Sequence, residues 1–319
     1  MRTFFNRLLI LLFASVFFFA CKSTKDAVSS KTVSVDDEVL ADALLWKISG
    51  KDIKKPSYLY GTIHLINKDD FFYPEGTMAA LDATEDIVFE IDMDDMNDVS
   101  KQMGMMSKIF MKDGVTLKDL LSEEEYAVVN NHFKDMGLPM MMLDKFKPMF
   151  LTVFASGDMD MSDMMKGGGM GGDVKSYEME FYDLAQKMDK EVEGLETIEY
   201  QLEVFEKIPY KEQAQMLVEA IKSADMGSDQ FDEMVQMYKQ QQITAMVTMI
   251  GDEEQSMGDY EDILLKDRNT NWIPLMAAKM TLEPTFFAVG AGHLAGTSGV
   301  IKLLKKQGYL VTPVSQIKK

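Results

Sequence analysis

Short apolar runs near both ends of the chain predict β-strands, whereas the middle of the chain predicts helices. Leu44–Ile48 and Ser57–Gly61 favour β-structure and flank a polar loop that contains Gly50 and Pro56, so together they predict a hairpin. Asp86–Asp92 predicts a further strand, whose last residues are acidic. These strands form the N-terminal part of a predicted sheet.

A large helical insertion is predicted between about residue 93 and residue 260. Leu117–Met136 and Ser176–Met188 have helical patterns, and Val192–Leu195 is a short strand candidate. The stretch Gly157–Asp173, rich in Gly, Met and Asp, cannot hold a helix, so it predicts a loop or a mobile lid.

The C-terminal part returns to strands. Asp262–Met280 predicts a helix that Pro274 could kink, and it is followed by a strand at Thr285–Val289, a helix at Gly299–Lys306 and a strand at Tyr309–Val314. This ending predicts a parallel pair of strands joined by a right-handed crossover. The fold class is therefore α/β or α+β, with a central mixed sheet built from the N- and C-terminal segments around the helical insertion.

The N-terminus has the pattern of an export signal. In residues 1–20, Arg2 and Arg7 form a positive end, and the apolar stretch Leu8–Ala20 is too short to span a bilayer comfortably. Cys21 follows directly and resembles the cysteine that receives the lipid in bacterial lipoproteins. Ordinary secretion with a chance cysteine is the alternative.

If residues 1–20 are an export signal, the rest of the chain consists of two parts. Residues 21–39 form a lipidated cysteine and a flexible polar tether, and residues 40–319 form a single domain. The protein would be exported and held by its lipid at a membrane of the bacterial cell envelope.

Composition excludes several classes of function. With 33 Lys+Arg against 52 Asp+Glu, the formal charge of −19 argues against a nucleic-acid partner. A single cysteine cannot form an internal disulfide or a thiolate zinc cluster. The 29 methionines could bind copper(I), but their spread along the chain favours core packing or a groove for apolar side chains.

Two of the three histidines have matching surroundings. His64 and His293 each stand three residues after a glycine, Gly61 or Gly290, and each glycine comes at the end of a predicted strand or directly after it. Glycine allows a sharp turn and a close approach, so both imidazoles would lie at the carboxyl edge of a sheet. Each could instead be a structural hydrogen-bonding residue, and His132 lies in a polar helix pattern typical of a solvated surface.

Carboxylates at the end of a predicted central strand complete a candidate metal set. Strand alternation places Glu90 and Asp92 on one face, and a carboxylate among apolar neighbours is costly unless a cation or donor meets it. Two imidazoles and one carboxylate are ligands typical of catalytic zinc, manganese or cobalt. Asp92 could alternatively only begin an acidic loop.

Three further polar residues are candidates for this site. Arg268, beside Asn269 in a helix pattern, could fix Glu90 or stabilise a developing oxyanion, or it could pair with a surface acid. Glu196 follows a short strand and could face the site or cap the next helix.

The ordered set of motifs resembles the TraB/GumN family, which includes the pheromone-shutdown proteins and is related to the TIKI metalloproteases. The resemblance covers roughly Leu44 to Val314 and rests on the following motifs: Tyr60-Gly-Thr-Ile-His64, Val88-Phe-Glu-Ile-Asp92, Gly194-Leu-Glu-Thr197 with Gln201, Arg268-Asn269 with Trp272, Gly290-Ala-Gly-His-Leu-Ala-Gly296, and the closing runs from Gly299 and Gly308.

This resemblance implies a fold of the erythromycin-esterase/ChaN-like kind and a site with paired motifs. In the TIKI branch these motifs serve a manganese- or cobalt-dependent peptidase. Carried over, His64, His293 and Glu90 would hold a divalent metal ion and its water, and Arg268 with Asn269 would match a polar pair. The Met- and Gly-rich stretch departs from the family, so substrate entry would differ here.

The leading hypothesis is a lipid-anchored metal-dependent hydrolase, most specifically a peptidase acting on a peptide or protein. In it, Glu196 and Asp92 are candidates for a general base or for support of the ligands, and Arg268 stabilises charge at the reacting carbonyl. The alternative is a non-catalytic envelope protein that binds or sequesters peptides. Copper handling through the methionines is a third hypothesis.

Overall fold

The structure is a computed structural model, and it describes residues 34–93, 108–155, 174–225, 229–250 and 260–314. The predicted signal segment 1–20, Cys21 and the predicted loop Gly157–Asp173 lie outside these residues. The division of the chain at residues 20 and 39 therefore stays a prediction.

Two β-sheets are present in the described residues. Their strands are β1 (Leu45–Ser49), β2 (Ser57–Thr62), β3 (Ile66–Asn67), β4 (Asp86–Ile91), β5 (Val174–Lys175), β6 (Glu191–Glu196), β7 (Thr285–Gly290) and β8 (Leu310–Pro313). The larger sheet has the order β6-β4-β7-β2-β1-β8, and β3 pairs with β5 in a small second sheet. The predicted mixed sheet built from both ends of the chain is confirmed.

The central strands are apolar on both faces because helices cover both sides of the sheet. Four neighbouring strands, β6, β4, β7 and β2, run parallel to one another. In β4 and β7 five of six residues are buried, as is typical of parallel strands between two layers of helices. The predicted hairpin is confirmed, because β1 pairs antiparallel with β2.

The last strand lies at one edge of the large sheet, next to the hairpin. β8 pairs antiparallel with β1, with Trp46 opposite Pro313 and Ser49 opposite Leu310. β8 nevertheless runs parallel to β7, because β2 is parallel to β7 and the two antiparallel pairings through β1 reverse the direction twice. The predicted parallel direction of the two strands is therefore confirmed, although β2 and β1 lie between them. β7 already has β2 on one side and β4 on the other, so β8 extends the sheet at an edge, which is that of β1.

Twelve α-helices are described. They are α1 (Thr77–Asp82), α2 (Leu117–Leu120), α3 (Glu123–Asp135), α4 (Met140–Leu143), α5 (Pro148–Ala155), α6 (Tyr177–Lys187), α7 (Ile198–Glu206), α8 (Tyr210–Asp225), α9 (Asp229–Lys239), α10 (Ile243–Ile250), α11 (Asp267–Leu282) and α12 (Val300–Lys306). One apolar core surrounds the large sheet, and a second lies within the helical insertion around α2, α3, α4 and α8.

The predicted helix Leu117–Met136 is divided into α2 and α3. Leu121 has extended backbone angles, and the Ser122 Oγ accepts a hydrogen bond from the Glu125 amide at 3.2 Å. The Glu125 carboxylate accepts in return from the Ser122 amide at 2.9 Å. This capping box starts a new helix, so the prediction of one continuous helix is wrong.

A short π-helical turn precedes the helix that carries Arg268 and Asn269. The predicted helix from Asp262 consists of the π-helical turn Asp262–Lys266 followed by α11, and Pro274 lies inside α11. π-Helical turns frequently occur at functional sites, because they change the direction of the following side chains. Among the described residues, no helix combines the length and apolar character needed to cross a bilayer.

Candidate active site

The carboxyl ends of four parallel strands bring the candidate residues to one edge of the sheet. Thr62 at the end of β2 lies opposite Gly290 at the end of β7, and Ile91 at the end of β4 lies opposite Glu196 in β6. Ligand sites of open α/β sheets form at this edge, where the connections leave the strands.

Glu90 is the central carboxylate of this edge. Its side chain is buried, and its Oε1 accepts a hydrogen bond from the Gly290 amide at 2.8 Å. Its Oε2 accepts from Arg268 Nη2 at 2.5 Å and from Gln201 Nε2 at 3.4 Å. These donors meet the requirement that a buried carboxylate be compensated.

Arg268 joins two buried carboxylates. Its Nη2 donates to Glu90 and, also at 2.5 Å, to Glu196 Oε1, while its Nε donates to both oxygens of Glu196 at 3.0 and 3.2 Å. The guanidinium lies over the Trp272 ring, whose Nε1 donates to Glu196 Oε2 at 3.0 Å. A guanidinium held in this way fixes the orientation of both carboxylates.

The neighbours of His293 determine its tautomer. Asn269 Nδ2 donates to two backbone carbonyls, of His293 and Ser298, so its Oδ1 faces His293 Nδ1 at 2.6 Å. Nδ1 must therefore carry the proton, and Nε2 accepts from Arg268 Nη1 at 3.1 Å. Nε2 also lies 3.7 Å from Glu90 Oε1.

Burial and the guanidinium set the charges of this group. Burial, together with Arg268, lowers the pKa of His293 to about 3, so its ring is neutral at pH 7. Burial alone would raise the pKa of Glu90, but His293 and Arg268 lower it to about 2. Since His293 is neutral at pH 7, the guanidinium of Arg268 is the main charge that keeps Glu90 ionised there, with a smaller effect of the same sign from His64. Burial raises the pKa of Glu196, and Arg268 opposes that shift.

His64 has a different partner from His293. Its Nδ1 lies 3.1 Å from Glu178 Oε1, and its side chain is 76% exposed. Glu178 raises the pKa of His64, and Glu90 adds a smaller effect of the same sign. His64 therefore lies within the electrostatic influence of the Glu90 cluster, although its direct contact is to α6.

Both glycines of the histidine motifs allow close approaches. A Cβ on Gly61 would lie 2.9 Å from Leu294 Cδ2 and 3.2 Å from the Ala291 Cα, so β2 could keep its packing against the segment around His293 only if these atoms shifted. A Cβ on Gly290 would lie 3.2 Å from Glu90 Oε1, the atom that the Gly290 amide binds. The glycines let two chain segments and one carboxylate come together.

The structure thus joins Glu90, Glu196, Arg268, Asn269 and His293 in one hydrogen-bonded cluster. Asp92 follows β4 at the same edge and is half-buried, and the catalytic roles of all these residues stay predictions.

The sequence interpretation missed Glu178 and Thr62. Thr62 Oγ1 donates to Glu178 Oε1 at 2.7 Å. The only sequence signal for Glu178 was its place at the start of a helix, which does not identify its partner.

The resemblance implies a divalent metal ion, and two imidazoles with one carboxylate are donor types that such an ion takes. His64 and His293 each have Nδ1 oriented by an oxygen acceptor, which is how proteins orient imidazoles that ligate through Nε2. In the described part of the chain, however, no three His, Cys, Asp or Glu side chains converge closely enough to hold an ion. His293 Nε2 is instead bound by Arg268.

Comparisons with known proteins agree with the motif set. The model of the TraB/PrgY/gumN family matches residues 44–313. A curated protein of Danio rerio, named metalloprotease TIKI2, is 23% identical over 352 aligned residues, which cover 92% of this chain and 65% of that protein. The chain therefore spans less than two thirds of this relative's length. No solved structure matches at a significant level.

Proposed function

Because the chain belongs to the TraB/PrgY/gumN family, we propose that it is a metal-dependent hydrolase, most specifically a peptidase. The family assigned from the sequence motifs is confirmed by the match to residues 44–313. The name of the TIKI2 relative supports the proteolytic reaction and the need for a metal. A peptide or protein is accordingly the proposed substrate.

The observation that carries the proposal is the charge of the buried cluster. Two carboxylates, Glu90 and Glu196, share the single guanidinium of Arg268, and the adjacent His293 is neutral at pH 7. This combination leaves excess negative charge beside an imidazole nitrogen at the edge of the sheet. Such a setting attracts a cation, because an uncompensated buried charge is costly.

In this proposal Glu90, His293 and His64 hold a manganese, cobalt or zinc ion. When bound there, such an ion would supply Lewis-acid chemistry toward a substrate carbonyl and toward water at neutral pH. Asn269 keeps the proton on Nδ1 of His293, so that Nε2 keeps its lone pair.

The other polar residues of the cluster have supporting roles. Arg268 keeps Glu90 ionised and correctly oriented, and it is the candidate for stabilising charge at the reacting carbonyl. Glu196 holds Arg268 in place. Asp92 is a further candidate for accepting a proton, because it follows β4 at the same edge.

The test uses the purified protein, with its content of divalent metal and its cleavage of a peptide mixture measured after addition of Mn²⁺ or Co²⁺. We expect His64→Ala, His293→Ala and Glu90→Gln to lower both metal content and cleavage, the latter by at least about a hundredfold. His132→Ala is the matched control, because His132 lies on α3 and outside the cluster.

Two outcomes would contradict the proposal. Full metal content and cleavage in the His64→Ala and His293→Ala variants would remove both histidines from the site. Peptides that stay intact under every metal, yet bind to the protein, would favour the binding-protein alternative.

We further propose that the protein is a lipoprotein of the bacterial cell envelope, anchored through Cys21. The positive and apolar residues before Cys21 support this location. We expect the protein to enter the detergent phase in a phase-partition experiment, and Cys21→Ser to move it to the aqueous phase. An unchanged partition of Cys21→Ser would exclude lipid attachment at this residue.

A further inference from the structure

The carboxylate of Glu178 connects the start of α6 with the end of β2. Its Oε1 accepts a hydrogen bond from Thr62 Oγ1 at 2.7 Å and lies 3.1 Å from His64 Nδ1. Its Oε2 accepts from Ser176 Oγ at 2.8 Å. The Glu178 side chain is 17% exposed, and Thr62 is buried. Both carboxylate oxygens are therefore held in a fixed orientation.

Backbone pairing brings the two segments together. β3 begins two residues after His64, and its Ile66 pairs with Lys175 of β5, directly before α6. The Tyr177 hydroxyl donates to the carbonyl of Phe72 and accepts from its amide, at 2.5 and 3.2 Å. The segment after His64 is thus attached at two points to the residues just before Glu178, one in β5 and one at the start of α6.

The start of a helix is also a favourable place for the charge of Glu178. Ser176 is the N-cap of α6, and Glu178 lies in the first turn, where the helix dipole stabilises an anion. The carboxylate can therefore stay ionised while it accepts hydrogen bonds from Thr62, Ser176 and His64.

We propose that Glu178 is a positioning residue, which holds His64 by its Nδ1 and thereby presents Nε2 to a bound divalent cation. This inference rests on the proposed function, in which His64 is a metal ligand. Glu178 would then play the role for His64 that Asn269 plays for His293. Each imidazole would have its own oxygen acceptor on a helix.

The exposure of His64 argues for positioning rather than for a structural ion pair. Its ring is 76% exposed, and pairs with one solvated partner contribute little to stability. An exposed ring that is free to rotate would, by contrast, bind a metal weakly, because ordering it costs conformational entropy. The contact with Glu178 removes much of that cost before the ion binds.

The experiment compares Glu178→Ala, Glu178→Gln and Glu180→Ala with the unchanged protein. Glu180 is the matched control, because it lies in the same first turn of α6 but pairs with Lys175 at 2.9 Å. Affinity for Mn²⁺, Co²⁺ and Zn²⁺ is measured by titration calorimetry, and thermal unfolding is recorded for each variant.

We expect Glu178→Ala to weaken metal binding by about 10- to 100-fold, the effect typical of losing a partner that orients a ligand. Glu178→Gln should recover part of the affinity, because its amide oxygen can still accept from Nδ1. Unchanged affinity in Glu178→Ala, or an equal loss in Glu180→Ala, would overturn the inference.

A measurement without metal separates this inference from the proposed function. Nitrogen-15 NMR at a pH above the pKa of the ring reports which nitrogen of His64 carries the proton, with His64→Gln used to assign the signal. We expect Nδ1–H in the unchanged protein and a shift toward Nε2–H in Glu178→Ala. If the protein binds none of Mn²⁺, Co²⁺ and Zn²⁺, the proposed function fails. An unchanged tautomer in Glu178→Ala overturns the positioning role in either case.

Discussion

At the scale of single residues, Arg268 has the largest electrostatic role in the described site. It is 5% exposed and donates to both Glu90 and Glu196. We expect Arg268→Ala to lower the free energy of unfolding by about 3–5 kcal/mol, because two buried carboxylates then lose their common counter-ion. Urea denaturation measures this loss.

A control and a rescue define the cause of that loss. Lys266→Ala removes the exposed pair with Asp262 one turn earlier and should cost less than about 1 kcal/mol. Glu90→Gln added to Arg268→Ala should restore part of the stability, because one unpaired charge disappears. If Arg268→Ala lowers the free energy of unfolding by no more than Lys266→Ala does, water already solvates the two carboxylates well enough.

The buried carboxyl group of Asp86, at the start of β4, should make the free energy of unfolding depend on pH. It is 1% exposed, and burial raises its pKa from 3.8 to about 6. Because the pKa is higher in the folded chain, the folded chain binds more protons between pH of about 4 and 6. The contribution of Asp86 to the free energy of unfolding therefore falls as the pH rises through this window, by at most about 3 kcal/mol.

Asp86→Asn tests this dependence, because the amide keeps the shape of the side chain but does not ionise. We expect the variant to gain stability relative to the unchanged protein as the pH rises from about 4 to 7. Glu85→Gln is the neighbouring control, since Glu85 is 59% exposed. If the free energy of unfolding of Asp86→Asn depends on pH as that of the unchanged protein does, another group causes the dependence.

At the scale of elements, the end of β7 determines how closely Glu90 approaches the histidine motif. In Gly290→Ala the new Cβ would lie 3.2 Å from Glu90 Oε1, so the carboxylate must shift. We expect peptide cleavage to fall by more than about tenfold with little change in melting temperature, because small displacements of catalytic groups are costly.

Gly61→Ala provides the contrast with Gly290→Ala. Its Cβ would meet Leu294 and the backbone of Ala291, not a carboxylate. We therefore expect a clear fall in melting temperature, because packed backbone cannot yield as a side chain can. Equal effects of both variants on stability and cleavage would mean that Gly290 acts only through packing.

Local patterns in the sequence were sufficient for most elements. The apolar runs predicted β4 and β7, because a strand between two layers of helices has no solvent face. The division between α2 and α3 also had a local signal, Ser122 with Glu125, which a longer apolar pattern obscured. Elements whose boundaries are set by neighbouring residues can thus be predicted.

Contacts between segments that are distant in the sequence could not be predicted from local patterns. β8 pairs with β1 because both sides of β7 are occupied, which depends on the whole sheet. Glu178 meets His64 across 114 positions, and neither residue has a neighbour that indicates the other. The convergence of Glu90 and His293 was predicted because both lie at the carboxyl ends of strands of one sheet, whereas Glu178 enters from the helical insertion.

At the scale of the molecule, charge repulsion opposes folding. The chain has 52 acidic and 33 basic side chains, with a formal charge of −19. Repulsion among like charges destabilises the compact state, and the screening length falls from about 30 Å at 0.01 M salt to about 8 Å at 0.15 M. Exposed pairs such as Lys55–Glu85 contribute little attraction for salt to remove.

We therefore expect the melting temperature to rise by a few degrees, or about 1 kcal/mol, when NaCl is raised over this range. Calorimetry in NaCl and in choline chloride separates general screening from binding of a particular cation, because screening depends only on ionic strength. Equal increases in both salts would identify repulsion among the acids as the cause. A melting temperature that falls in both salts would mean that attraction between exposed charges of opposite sign outweighs the repulsion from the net charge in this fold.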